Sequence, residues 1–108
     1  MKKEELFTRF LFTRFDGVFF EKTRLSIMTV LYRERTASFN HLKLIIGGSD
    51  GAVYSHLQKL LDAQYIYQKK LIRDESTQTF YFLTDAGRRV YRDYLRFLED
   101  LLSDIRNV

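Results

Sequence analysis

The sequence predicts a mainly α-helical chain carrying one small β-hairpin, an α+β domain. Three observations predict it. Apolar residues recur at helical spacing in successive segments that open on Ser, Thr or Asp caps. The period then changes over Tyr65–Ile72 and Thr79–Leu83, which are β-branched, aromatic and basic, the second run alternating. Helical spacing returns after Thr84 and continues to about Arg106.

The elements follow in order. Lys3–Phe15 reads as a helix in which Leu6-Phe7-Thr8-Arg9-Phe10 is repeated at once as Leu11-Phe12-Thr13-Arg14-Phe15. A step of five residues turns a helix by about 140°, so its apolar residues spread around the circumference. Such a helix is buried on several sides, often in an interface. Lys2, Lys3, Arg9 and Arg14 beside the phenylalanines also suit a membrane-surface helix, and the aromatics suit the wall of an apolar effector pocket. The interface reading is preferred because the C-terminal helix also needs a partner. Gly17 ends the first helix. Glu21–Arg35 is the second, with Leu25, Met28, Leu31 and Tyr32 on its apolar face, thickened by Ile27 and Val30. Ser38 caps a short third helix with Phe39, Leu42, Ile45 and Ile46 on its apolar side, and Gly47-Gly48 ends it as a tight turn. Ser49 or Asp50 caps a fourth helix to about Ala63, whose Val53, Leu57, Leu60 and Leu61 face a core. The hairpin comes next, with Arg73–Gln78 as its polar turn. Thr84 caps the last helix, in which Tyr91, Leu98 and Ile105 sit seven apart with Tyr94, Leu95, Leu101 and Leu102 between them, a short coiled-coil-like seam.

Composition bounds the function. At 108 residues, without Pro, the chain is one domain without a hinge: an N-terminal arm over 1–20, a core over 21–83 and a dimerisation helix over 84–108. The net charge of +4 and the pI near 9.4 permit nucleic-acid binding. Ten Phe and seven Tyr are a heavy aromatic load, consistent with apolar surface buried against a partner as well as inside the domain. With no Cys and only two His, neither a disulfide framework nor a structural metal site is expected, and no cofactor is. No nucleophile–base pair or phosphate-cradling glycine loop suggests an enzyme. There is no bilayer-length apolar run and no signal-peptide pattern, so a cytoplasmic protein without membrane contact is expected.

Two short helices joined by a glycine turn form the unit that places its second helix in the DNA major groove, and a hairpin directly after it is suited to lie along the backbone as a wing. The outward side of 50–63 carries small and hydrogen-bonding groups. Ser49, Ala52, Tyr54, Ser55 and Gln58 are its candidate DNA contacts, with Tyr54, Ser55 and Gln58 reaching base edges. Lys59, Lys69, Lys70 and Arg73 are candidates for phosphates. His41 and His56 read as structural, as does Gly87, which lets the last helix sit close to the sheet. The candidate dimer interface is Leu6, Phe7, Phe10 and Leu11 with Tyr91, Tyr94, Leu98, Leu101 and Ile105.

A resemblance spans about Glu21 to Leu102. Arg24-Leu25-Ser26-Ile27-Met28 followed by Leu31, then Phe39 and Leu42, then Ser49-Asp50-Gly51, then His56-Leu57-Gln58-Lys59-Leu60, then Tyr65-Ile66, and finally Tyr81-Phe82-Leu83-Thr84-Asp85-Ala86-Gly87-Arg88 resemble the winged-helix DNA-binding domain of small prokaryotic transcriptional regulators of the MarR, ArsR and PadR groups. The resemblance implies a winged helix-turn-helix, dimerised by its terminal helices, that binds double-stranded DNA and leaves room for a small-molecule effector. A repressor acting by occluding a promoter is the leading expectation, and a winged-helix protein–protein module the alternative. Three departures stand out. Ala52 replaces a polar residue such as Asn. Gln64 replaces the usual Gly between recognition helix and strand, so another turn geometry is expected there. Asp74 and Glu75 place negative charge on the wing tip, where phosphates would repel it.

Overall fold

The structure, a computed structural model, describes residues 11–108. The expected first helix therefore lies mostly outside the described residues, and so do Leu6, Phe7 and Phe10. Its described end, Phe12–Arg14, is a single turn of 3-10 helix rather than α-helix. Then follow α1 (Lys22–Glu34), β1 (Thr36–Ser38), α2 (Phe39–Ile46), α3 (Asp50–Asp62), β2 (Ile66–Arg73), β3 (Ser76–Leu83) and α4 (Asp85–Arg106).

Caps set the helix starts. The Glu21 carboxylate accepts from the N–H groups of Thr23 and Arg24, both at 3.0 Å, and opens α1. Ser38 accepts from His41 N–H at 3.1 Å, Ser49 from Ala52 N–H at 3.2 Å and Thr84 from Gly87 N–H at 2.9 Å, opening α2, α3 and α4. Gly47 and Gly48, at φ +79° and +84°, turn the chain between α2 and α3 in a conformation other residues rarely take.

The core lies where the apolar stripes meet. Ile27, Met28 and Leu31 of α1, Leu42 of α2, and Val53, Leu57 and Leu60 of α3 pack with Ile66, Tyr81 and Leu83 of the sheet and Tyr91 of α4. The sheet has three antiparallel strands in the order β1-β3-β2. Its third strand, β1, is an addition to the expected hairpin, paired through Thr36↔Phe82, Ala37↔Tyr81 and Ser38↔Phe80. The β2–β3 ladder runs from Ile66↔Leu83 to Arg73↔Ser76. The expected six-residue turn is thus only Asp74-Glu75, both in the left-handed region at φ +52° and +64°. Two such residues make the turn whose twist matches that of paired strands, so the ladder continues to the tip.

Gln64 also corrects the sequence reading. It adopts the left-handed geometry at φ +62° that a glycine would take. Tyr65 N–H bonds the Leu60 carbonyl at 3.0 Å and Gln64 N–H the Leu61 carbonyl at 2.9 Å, a Schellman closure of α3. The Gln64 carbonyl accepts from the Thr84 hydroxyl at 2.6 Å, and the Tyr65 carbonyl from Thr84 N–H at 3.0 Å. These bonds offset the strain and tie the end of α3 to the start of α4. Gly87 completes the junction: a Cβ there would lie 1.9 Å from the Tyr65 carbonyl oxygen.

Candidate nucleic-acid interface

On a helix turning about 100° per residue, the buried stripe Val53–Leu57–Leu60 of α3 lies opposite Gly51, Ser55, Gln58 and Asp62. All four are exposed and form the outward face. Ala52 and Lys59 lie on one flank and Tyr54 on the other. Ser49 is spent as the α3 cap. Asp50, in the first turn, pairs with Lys43 of α2 and occupies the helix end where a phosphate would otherwise be drawn.

The side chains are more constrained than the sequence suggests. Tyr54 is half exposed, but its ring stacks on Phe39 at 4.2 Å between centroids and 16° between planes, fixing it against the start of α2. With Asn40, Thr77 and Thr79 it borders a notch of about 160 Å³ between α2 and the hairpin. Gln58 donates from Nε2 to Asp62 Oδ1 at 2.7 Å. Lys59 turns toward the loop before α1, in a cleft it shares with Gly17, Val18, Arg24 and Asp62.

Strand alternation divides the three hairpin cations. The register places Lys70 opposite Thr79, on the sheet face that carries Tyr81 and looks toward Tyr54. Lys69 and Arg73 lie on the other face, where the Lys69 ammonium sits 5.8 Å from the Tyr67 ring and 5.7 Å from Phe82. The three candidates therefore lie on two opposite faces of the sheet. Ile72, 81% exposed, shares the Lys70 face near the tip.

Sequence reasoning passed over a polar network behind α3. Arg24 is buried; its Nε donates to the Val18 carbonyl and its guanidinium meets His56 Nδ1 at 3.0 Å. Glu21 Oε2 lies 3.4 Å from the same His56 nitrogen. Burial pushes the Glu21 pKa up, but the Thr23 and Arg24 N–H groups and the charges of His56 and Arg24 outweigh it and hold the carboxyl below its usual range. The network links the back of α3 to α1 through His56. Its signal was Arg24 at the head of the apolar run of α1, three residues after Glu21. Beside it Asp16 accepts from the Tyr65 hydroxyl at 2.6 Å. Desolvation and this bond push the Tyr65 pKa up to about 12.

At the far end, the seam residues separate. Tyr91 lies in the chain's own core: the Thr29 hydroxyl donates to the Leu25 carbonyl at 2.8 Å and so accepts from Tyr91 at 2.7 Å. Its seven-residue spacing from Leu98 placed it on the seam, but its ring packs on Tyr32 inside the fold. Tyr94 packs on Phe19 and Phe20. Leu11, Leu98 and Leu101 are half-buried, while Leu102 and Ile105 are exposed. The described residues hold no cluster suited to a metal ion, and no helix among them is long and apolar enough to cross a membrane.

Known proteins share this architecture. A chain described as the transcriptional regulator homologue protein from Pyrococcus horikoshii OT3 superposes with a TM-score of 0.75 at 23% identity, over 83% of this chain and 89% of that one. MepR of S. aureus, solved as a DNA complex, superposes with a TM-score of 0.73 at 11% identity, over 95% and 84%. An uncharacterised protein of Methanocaldococcus jannaschii is 27% identical over 88 residues, 82% of this chain and 96% of its own length. The profile of the winged helix DNA-binding domain matches residues 23–102, from the first turn of α1 into the last turns of α4. With α2 and α3 as the helix-turn-helix and β2–β3 as the wing, the chain belongs to the winged-helix DNA-binding domain family.

Proposed function

We propose that the protein is a homodimeric regulator of transcription that binds specific sites in double-stranded DNA, and that it represses by occluding a promoter. One observation carries this reading: the outward face of α3 is open to solvent, with the Lys70 face of the wing beside it. Base edges are read by Ser55 and Gln58. Lys70 and Lys59 hold phosphates, and Tyr54 meets the backbone from the flank. The fold shared with MepR, a protein solved as a DNA complex, supports DNA as the partner.

The second copy docks on the apolar stripe at the end of α4, where Leu98 and Leu101 are half-buried and Leu102 and Ile105 exposed, together with the aromatic segment around Leu11. Twofold pairing then sets the two α3 helices about 34–36 Å apart, one turn of DNA. An apolar effector is accommodated where this aromatic segment meets α4.

Binding measured against salt tests the reading. Each phosphate contact lowers log K by about 0.9 per tenfold rise in salt, so several contacts give a steep slope. Flat, weak binding to every duplex would contradict it. That outcome is the mark of a protein–protein module, a second reading favoured by the exposed acidic groups Asp62, Asp74 and Glu75.

A further inference from the structure

We infer that Asp62 is the residue that positions Gln58 for reading DNA, and that the pair selects adenine. The inference rests on the reading of α3 as the recognition helix. Asp62 is the last residue of α3 and points outward, where a carboxylate repels phosphates and weakens binding to every duplex. Its one partner named by geometry is Gln58, one turn earlier, whose Nε2 lies 2.7 Å from Asp62 Oδ1.

The chemistry of that bond removes the usual ambiguity of a glutamine. The two ends of a side-chain amide are hard to tell apart by shape, but an ionised carboxylate only accepts hydrogen bonds. The nitrogen must therefore face Asp62. One Nε2–H is spent there, while the second N–H and the carbonyl Oε1 stay available on an exposed side chain. One donor and one acceptor match adenine, which offers N7 as acceptor and N6–H₂ as donor in the major groove. Guanine offers two acceptors on that edge and is rejected. Without Asp62 the amide turns freely, presents either end, and loses both the preference and the advantage of being held in place before binding.

Asp62 thus exchanges general affinity for discrimination, which separates it from a residue that only supports the helix. The test is binding of the full chain to its selected duplex and to duplexes carrying each other base at every position, for the parent, D62A, D62E and Q58A. The parent is expected to prefer adenine at one position per half-site by roughly 10-fold, the lower part of the range for a good two-point contact. D62A should bind all duplexes about threefold more tightly at low salt, because a like charge is gone, while its preference at that position falls below about threefold. D62E, which again offers only an acceptor, should restore the preference. D62L, which offers no acceptor, serves the same comparison as D62A at closer volume, and melting temperatures confirm that each variant folds. Undiminished preference for adenine in D62A and D62L would overturn the inference and leave the reading of α3 standing. A parent protein without preference at any position would overturn both.

Discussion

Single residues carry much of this fold's strain and its relief. Gln64 holds a left-handed backbone at φ +62°, which costs a residue with a Cβ about 1–2 kcal/mol. Only its backbone is used in the junction with Thr84, so Gln64→Gly is expected to raise stability by about 0.5–1 kcal/mol in urea unfolding, after the greater freedom of glycine in the unfolded chain is counted. Gly87 is the opposite case. Its substitution by alanine sets a Cβ against the Tyr65 carbonyl, and Gly87→Ala is expected to cost about 3 kcal/mol in the same measurement. Tyr65 links the junction to pH. Its pKa in the folded chain, about 12, lies above the ordinary value of 10.0. The stability that burial of the neutral hydroxyl and its bond to Asp16 link to protonation is therefore complete below pH 10 and is lost as pH rises from there toward 12, because the unfolded chain ionises first. Tyr65→Phe should flatten that alkaline decline, read from unfolding curves at a series of pH values.

At the scale of elements, periodicity and caps made the helices legible. Ser38, Ser49 and Thr84 stand directly before α2 to α4, and the glycine pair ends α2 as read; α1 was placed by its apolar spacing, and its cap, Glu21, had been read as part of the helix. β1 was not legible because three residues cannot display an alternation; only its pairing with β3 makes it a strand. The wing turn was read too long because Asp74-Glu75 lacks the glycine that marks a two-residue hairpin. Tyr91 was misplaced because seven-residue spacing cannot show that its hydroxyl meets Thr29, 62 positions away. The wing cations could have been divided from alternation alone, since Lys69 and Lys70 are neighbours in one strand. That division yields a prediction. Lys70→Ala should reduce the salt slope of DNA binding by about 0.9, and Lys69→Ala, on the opposite face, should leave it nearly unchanged.

At the scale of the molecule, shape and charge divide the labour. The described residues span 61 Å by 24 Å, with a radius of gyration of 16.6 Å, where a compact chain of about 100 residues would have about 13 Å. The excess length includes the wing and the end of α4, elements with unburied surface. Beyond Phe97 no α4 residue is buried, yet Leu98, Leu101, Leu102 and Ile105 keep an apolar stripe there. A second copy accounts for that stripe, and Leu98→Glu should convert a dimer into monomers in sedimentation, with the far-ultraviolet helical signal largely kept. The central claim is that the outward face of α3 enters the major groove twice, once from each copy. Selection of bound duplexes from a random pool tests it most directly. The account predicts an enriched, nearly palindromic site with half-site centres about 10–10.5 base pairs apart. Enrichment of no sequence, or of a single unpaired half-site, would contradict it.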